Sequence, residues 1–336
     1  MTSNPENLCD DEDKLAPRIA TFWRRIGAAV VDASLLGAIG ACLGFLWFDQ
    51  LAALGRTGRF IGGAIALVYF GTLNSRIGQG QTLGKRLLKI RVTDAKAALV
   101  SLPRSAFRAT ILLLPVALNG MPVPAGEHEQ LWGIVLSILI FGVSVAGVYL
   151  YSCNRRTRQS IHDLAGGTFV RNVESTSEIY EEIWKPHFAI AGGLCLAVLG
   201  VVLMPDTSEQ PEFVQQLAEV RRVVESAVPD ADVSVQGGTT RANASTIGQT
   251  ATSRIVIGVS MWVKPEHSEM VADQIAMAMF KSLSGVRDVG QVSIVISYGY
   301  DIMISHARTT KAFVHSLGEW LKRLRIDEPT SAAPQV

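Results

Sequence analysis

A carboxylate lies inside the first long apolar stretch of this chain. Between Trp23 and Phe48, Asp32 is the only charged residue that follows Arg25. An ionised carboxylate in a lipid-facing helix costs about 2.5–3.5 kcal/mol on insertion scales, so Asp32 should face protein or water and have a partner. This residue type suits the binding and release of a proton or cation, or a helix-packing hydrogen bond. The sequence leaves both interpretations open.

No other cluster of residues points to catalysis or to a metal. Glu127, His128 and Glu129 are consecutive, so their side chains cannot all point at one ion, and we expect a solvated loop there. The histidines after residue 205 are scattered and form no nucleophile–base pair by spacing. The four cysteines give neither a disulfide framework nor CxxC metal spacing. We therefore expect no enzyme activity, no metal and no cofactor.

The composition indicates a membrane protein with a soluble appendage. A length of 336 residues allows about two domains. Hydrophobic residues make up 48% and charged residues 18%, which is too apolar for an ordinary soluble domain of this size. The apolar excess lies before residue 205. A net charge of +1 gives no reason to expect a nucleic-acid partner.

Five apolar runs are long enough, or nearly so, to cross a lipid bilayer. A helix needs about 20 residues to span a hydrocarbon core of roughly 30 Å. The second run is short for a span, and Pro115 interrupts the third, which membrane helices tolerate. The five runs are 23–48, 60–73, 109–119, 131–151 and 188–204.

The distribution of lysine and arginine predicts the orientation in the membrane. The 75–108 loop carries eight basic residues and the 152–186 connector five, whereas the alternate loops carry two and none. Cytoplasmic loops carry the excess of Lys and Arg, so these two loops and the N-terminus are expected in the cytoplasm. Five spans of the cell (plasma or inner) membrane then place residues 206–336 on the extracytoplasmic side.

This orientation places Asp32 in the cytoplasmic leaflet. Asp32 follows Arg25 by seven residues, so the two share a helix face. They are about 10 Å apart along the axis, which is too far for a direct ion pair within one helix. A basic residue of the 85–91 segment, or Arg104 or Arg108, could reach Asp32 from the cytoplasmic side.

The basic loop between the second and third runs predicts a small cytoplasmic hairpin. Its charges are too dense for a span, and apolar residues alternate with polar ones over 88–93, as in a strand with one wet face. Residues 94–96 would form a turn and 97–101 the returning strand.

The C-terminal region has the pattern of a small α+β domain. We predict the order α-β-β-α-β-α, a ferredoxin-like or related sandwich with helices on one face of a sheet. A polar loop over 237–252 separates the first two strands. The predicted elements are a helix from Pro211, strands 232–236, 254–263 and 291–298, a helix over 266–283, and a final helix marked by Val314, Leu317, Leu321 and Leu324.

Small residues on the first span allow close helix contact. Gly40 and Gly44 are four residues apart, which makes a small-xxx-small face. Such a face serves packing within the bundle or a homo-oligomer interface.

Residues from about 16 to 173 resemble the RDD family of integral membrane proteins. The likeness rests on an ordered set of three segments: APRIATFWRRIGAAVVDASLL, GQTLGKRLLKIRVTDA and SIHDLAGGTFV. The matching motif residues, taken together as a candidate ion or partner site, are Arg24, Arg25, Asp32, Gln81, Thr82, Gly84, Lys85, Arg104, Arg108, His162 and Asp163.

The resemblance assigns the family's arginine to Arg24, with Arg25 as the rival, and its aspartates to Asp32 and Asp163. Many members carry a basic residue directly after the His-Asp pair, where this chain has Leu164. That departure argues against an ion pair within this motif. The resemblance implies a mostly bacterial membrane protein proposed to take part in transport, and it does not extend to the fifth run or beyond.

These observations give a domain plan and two hypotheses. The plan is a disordered cytoplasmic tail (1–17), an RDD-like membrane domain with four spans (18–173), a connector with a fifth span (174–205) and an extracytoplasmic α+β domain (206–336). In the first hypothesis a transport-associated protein exchanges a proton or cation at Asp32. In the second, a non-transporting scaffold uses its extracytoplasmic domain to bind a protein or envelope partner.

Overall fold

The structure is a computed structural model that describes residues 19–121, 128–175, 182–204, 211–229, 231–241, 251–282 and 290–326. The expected disordered tail over 1–17 and residues 122–127 of the loop expected over 120–130 lie outside these ranges, and the end of that loop needs correction, because a helix begins at Glu129. The chain divides into two compact units. The first comprises Met1–Leu43, Arg56–Met204 and Ile302–Ser305, and the second comprises Gly44–Gly55, Pro205–Asp301 and His306–Val336.

The region before residue 205 is helical. Its helices are α1 (Phe22–Leu46), α2 (Phe48–Ala53), α3 (Gly58–Leu73), α4 (Leu83–Leu87), α5 (Leu102–Leu118), α6 (Glu129–Ser137), α7 (Val143–Cys153), α8 (Ile161–Gly166) and α9 (Pro186–Val202). A π-helical segment, Ile138–Gly142, joins α6 to α7.

Two of these helices have the length and composition needed to cross a membrane. They are α1 and the continuous helix Gln130–Cys153. The helices at the other three predicted runs are shorter, with 16 residues in α3 and 17 each in α5 and α9. The structure therefore supports two candidate spans, and the count of five stays a prediction.

Helix α5 begins seven residues before the predicted third run. Ser101 lies at its N-cap position in an extended conformation, and Pro103 occupies its first turn, where proline is tolerated. Because the helix starts at Leu102, Arg104 and Arg108 lie on it one turn apart. Side chains four residues apart share a helix face, so both arginines can point at the same neighbour.

The predicted hairpin is wrong in its second strand. Strand β1 (Ile90–Thr93) pairs antiparallel with β2 (Phe169–Asn172) and not with 97–101. The reason is burial: Ile90 and Val92 are enclosed in an apolar cluster with Val170, and this pairing keeps them there. Residues 94–98 instead form a turn in which the Ala98 N–H donates to the Asp94 carboxylate at 2.8 Å.

The start of the described chain joins the same small sheet. Ile19 forms an antiparallel bridge with Arg171, and the Ala20 N–H donates to the Val170 carbonyl at 3.0 Å. Ala20 belongs to the apolar cluster of β1 and β2. Residues 19–20 and 169–172 therefore lie side by side.

The C-terminal region contains a four-stranded sheet. Its elements are α10 (Pro211–Ala227), β3 (Ala231–Arg241), β4 (Ala251–Met261), α11 (Ser268–Ser282), β5 (Gln291–Asp301), β6 (His306–Ser316) and α12 (Leu317–Leu324). The strand order is β3-β4-β5-β6, with β4 and β5 parallel and the outer pairs antiparallel.

Two expectations for this region need correction. The sheet has a fourth strand, β6, and Val314 lies on it and not on the final helix. The order also differs from the β-α-β-β-α-β of a ferredoxin-like fold, since β3 leads directly into β4. Of the predicted 237–252 loop, 237–241 and 251–252 belong to strands, and 242–250 lie outside the described residues.

The core of this region lies between one face of the sheet and its helices. Alternate residues of the two central strands are buried, including Ile255 and Ile257 on β4 and Ile294 and Ile296 on β5. The same cluster contains residues of α10, α11 and α12. Both central strands thus place alternate apolar residues in this core.

Methionines on α11 offer a test of this core. Met279 is fully buried, whereas Met270 on the same helix is 67% exposed. With residues 206–336 expressed alone, we expect Met279→Ala to lower the free energy of unfolding by about 2–5 kcal/mol, because it leaves a cavity. Met270→Ala should change it by less than about 0.5 kcal/mol. Urea denaturation followed by circular dichroism measures both, and equal effects would contradict the assigned core.

Candidate functional site

The carboxylate of Asp163 is fully buried and accepts hydrogen bonds from two arginines. Asp163 lies on α8, whose first turn forms a capping box with Ser160. Its Oδ2 accepts from Arg25 Nη2 of α1 at 2.5 Å, and its Oδ1 accepts from Arg108 Nη2 of α5 at 2.7 Å. The Nε of Arg108 also donates to Oδ1, at 2.9 Å. One carboxylate therefore joins three helices.

The remaining contacts of Arg25 complete this arrangement. Its guanidinium lies over the ring of Tyr151, with Cζ 4.6 Å from the ring centroid. Its Nη1 donates to the backbone carbonyl of Arg158. Cation–π contact and a carbonyl acceptor both stabilise a guanidinium that has lost its water.

Electrostatics keeps Asp163 ionised and its neighbour His162 neutral. Burial alone would raise the pKa of Asp163, but Arg108, His162 and Arg25 outweigh it and hold that pKa well below the usual carboxyl range. Burial lowers the pKa of His162 to about 3, against the opposing effect of Asp163. At neutral pH the His162 imidazole therefore carries no charge.

Asp32 has a different environment, made of neutral donors. Its Oδ1 accepts from the Tyr69 hydroxyl at 2.7 Å and from the Gly84 N–H at 2.8 Å. Its Oδ2 accepts from the Thr82 hydroxyl at 2.6 Å. Within the described part of the chain, no lysine or arginine nitrogen lies within 4.0 Å of this carboxylate. The lysines and arginines that the sequence places within reach of Asp32 therefore do not bond it in the described part of the chain.

Helix α4 brings two of these donors to Asp32. Thr82 is its N-cap residue, and the Thr82 hydroxyl also accepts from the Lys85 N–H at 3.3 Å. Gly84 lies against α1 so closely that a Cβ there would be 2.2 Å from the Ala28 carbonyl oxygen. A side chain at position 84 would therefore clash with α1, which explains the glycine in the segment GQTLGKRLLKIRVTDA.

Lys85 extends from the same helix turn. Its Nζ donates to Asn74 Oδ1 at 2.7 Å, and Asn74 is itself buried. Burial, followed by the charge of Arg108, lowers the pKa of Lys85 to about 7. The ammonium thus titrates close to neutral pH.

A cavity of about 700 Å³ lies within the first unit and reaches both aspartate environments. Its charged lining residues are Arg25, Asp32, Lys85 and Arg108, and His162 also faces it. Most of the other lining side chains are apolar and come from α1, α5 and α7. A mostly apolar cavity with a few convergent polar groups is the usual form of a small-molecule site.

The structure brings together eight of the eleven residues singled out from the sequence. These eight are Arg25, Asp32, Thr82, Gly84, Lys85, Arg108, His162 and Asp163. The other three bond elsewhere: Arg24 to Asn172 Oδ1 at 3.0 Å, Gln81 to the Ile90 carbonyl at 3.0 Å, and Arg104 to the Gly167 carbonyl at 2.6 Å.

One sequence interpretation changes on this geometry: Arg25, and not Arg24, is the arginine of the cluster. The doubt about an ion pair within the His-Asp motif is consistent with the structure, because the arginines that bond Asp163 come from α1 and α5. Sequence reasoning missed Tyr69 and Asn74, and the one signal for Tyr69 was a hydroxyl inside an apolar run.

Removing one of the two arginines that pair with Asp163 should lower the stability of the folded protein. Arg108→Gln leaves a buried carboxylate with one guanidinium, and breaking a buried pair costs about 3–5 kcal/mol. We expect a lower melting temperature in detergent at pH 7, whereas Arg155→Gln, at an exposed arginine, should leave it unchanged.

The pH dependence of this effect has a definite sign. Because the pKa of Asp163 is depressed in the folded state, its stabilising contribution is present above the unfolded-state pKa and is lost only as the pH falls through the folded-state pKa. The difference in melting temperature between wild type and Arg108→Gln should therefore persist from pH 8 down to pH 6, altered only by Lys85, which gains its proton over this range and is repelled by Arg108. A difference that vanishes at pH 6 would contradict an ionised Asp163.

A second change tests the close contact of α4 with α1. Gly84→Ala places a methyl group against a backbone carbonyl, so α4 must move and Asp32 loses a donor. Gly133→Ala is the matched control, since a Cβ at Gly133 meets nothing within 4 Å. We expect Gly84→Ala alone to lower the melting temperature in detergent. Equal melting temperatures for the two variants would contradict this packing.

Comparison with known proteins finds a family model that matches the first part of the chain. The family model described as RDD family matches residues 19–167, a segment that contains every residue of the cluster. No family model matches the C-terminal region. No curated protein and no solved structure matches the chain.

Proposed function

Since residues 19–167 belong to the RDD family of membrane proteins, we propose that this chain is a transport-associated membrane protein in which Asp32 binds and releases a proton or a small cation. The observation that carries the proposal is the position of the Asp32 carboxylate. It lines the cavity, and its described hydrogen-bond partners are all neutral.

The two aspartates of the cluster suit different roles. Asp163 is fixed between two guanidinium groups, so protonation or exchange there would leave two buried cations without their counter-ion. Asp32 is held by a tyrosine hydroxyl, a threonine hydroxyl and one backbone N–H. A hydroxyl rotates and can also accept a hydrogen bond, so these groups can stabilise a protonated carboxyl as well as an ionised one.

The same hydroxyl groups also suit a small cation. The oxygens of Tyr69 and Thr82 lie within 2.7 Å of the Asp32 carboxylate, and hydroxyl and carboxylate oxygens are ligands for hard cations. A cation that displaced the two hydroxyl protons from the carboxylate would meet four oxygens from three segments of the chain. Exchange at Asp32 therefore needs only rotation of two hydroxyl groups.

The proposal includes a topology. We propose five spans formed by α1, α3, α5, the α6–α7 helix and α9, with the N-terminus in the cytoplasm and the C-terminal region outside the cell membrane. Asp32 then lies in the cytoplasmic leaflet. Because the bundle is small, a homo-oligomer would enclose a transport path most readily.

A second candidate function is a non-transporting scaffold. It is favoured by the C-terminal unit, which has its own sheet and its own buried core and which an exchanger does not require. In that role the Arg and Asp groups lock the cytoplasmic segments onto the bundle. The C-terminal unit would bind an extracytoplasmic protein or envelope partner.

Ion flux separates these functions. In proteoliposomes with an imposed pH gradient, we expect the wild type to exchange Na⁺ or K⁺ for protons and Asp32→Asn to lose that flux while keeping its melting temperature. Asp94→Asn is the matched control, because it removes a carboxylate charge outside the cavity and keeps the oxygen that accepts from Ala98.

The outcomes decide between the two roles. Wild-type flux that survives in Asp32→Asn would contradict exchange at Asp32. Absence of flux from the folded wild type would favour the scaffold.

A further inference from the structure

Lys85 is the cation of the cluster that no carboxylate balances directly. Its ammonium donates to the Asn74 side chain, and among the described residues no Asp or Glu oxygen lies within salt-bridge distance of it. Its side chain is half-buried and lines the cavity. An ammonium has three donors, so Lys85 can bond a ligand without leaving Asn74.

Below about pH 7, where Lys85 is charged, the groups around the cavity leave an excess of one positive charge. Arg25, Arg108 and Lys85 are three cations, and Asp32 and Asp163 are two carboxylates. His162 adds nothing at neutral pH, because burial holds its pKa at about 3. An unbalanced charge away from water is costly, so the cavity favours a monovalent anion over a neutral or cationic molecule.

Among the described cations that line the cavity, Lys85 is the one without a carboxylate partner, so it is the best placed to receive that anion. Both arginines are bonded to Asp163, and Asp32 repels an anion. The rest of the cavity wall is mainly apolar, with residues such as Ile111, Leu112 and Val148. A ligand that fits both parts has one anionic group and an apolar body.

We propose that the cavity binds a small organic monocarboxylate, with Lys85 holding its carboxylate and the apolar wall holding its hydrocarbon part. A carboxylate suits the single excess charge, whereas a phosphate near pH 7 carries more than one. This inference needs the cavity and Lys85 only, and it stands whether or not Asp32 exchanges ions.

The groups that face Lys85 determine how binding depends on pH. They are Arg25 and Asp32 from α1, Tyr69 from α3, Arg108 from α5, and His162 and Asp163 from α8. Burial and the charge of Arg108 lower the pKa of Lys85 to about 7, so its ammonium is charged below that pH and loses its proton above it. Binding should therefore be strong at pH 6 and weak at pH 8.

Calorimetry on the full-length protein tests the proposal. The protein is placed in phosphatidylcholine nanodiscs and titrated with hexanoate, with empty nanodiscs as the blank. We expect saturable binding that is about tenfold weaker at pH 8 than at pH 6, following the charged fraction of Lys85. Hexanamide and inorganic phosphate should bind much more weakly. Equal binding of hexanamide, or a flat pH profile of the wild type, would overturn the proposal.

Variants then assign the effect to Lys85. Lys85→Gln should abolish hexanoate binding, and Lys85→Arg should keep it and remove its pH dependence. Lys96→Gln, which removes the same charge from an exposed position of the same loop, should bind like the wild type. Hexanoate binding is measured without any ion gradient, so its outcome is independent of the flux that tests the ion-exchange proposal. Wild-type binding by a folded Lys85→Gln would overturn the assignment, and the wild-type pH profile decides if the variants do not fold.

Discussion

The bond between one carboxylate and two guanidinium groups is the contact on which the rest of the N-terminal unit depends. Asp163 joins α1, α5 and α8, which are far apart in sequence, at a site with no exposed surface. Desolvation makes such a bond a doubtful source of net stability, yet losing one member is expensive. We infer that the contact contributes mainly to specificity. Arrangements of the three helices that separate Asp163 from Arg25 or Arg108 would leave a buried charge without its partner.

Fixing α8 also fixes the segments that reach Asp32. Strand β2 follows α8 directly and pairs with β1, and the Val92 N–H of β1 donates to the Gly80 carbonyl at 2.8 Å. The Gly80 loop leads into Thr82 and α4, which supply two of the three donors to Asp32. The two aspartates are thus connected by a chain of backbone hydrogen bonds that runs through a short sheet.

The sequence made the residue types of this cluster visible, because a charge inside an apolar run is conspicuous. It could not give the pairings, which depend on which helices are neighbours in space, and so Tyr69 was missed as a partner of Asp32. Strand β6 was missed for a local reason: Val314 precedes Leu317 at helical spacing, so the apolar stripe of α12 extends into the strand. The capping box of Ser316 and Glu319 marks the true start of that helix.

The antiparallel bridge between Ile19 and Arg171 has a consequence for how this protein is put together. Residues 19–20, where the described chain begins, lie beside strand β2 (Phe169–Asn172). The two ends of the segment 19–172 are therefore adjacent in space. Proteins whose two ends lie close together tolerate circular permutation and fusion, because the ends can be joined by a short linker without a change in the packing of the interior. The two ends of the segment 19–172 are therefore close enough for a short linker to join them, and a new chain start could be placed in one of its exposed loops.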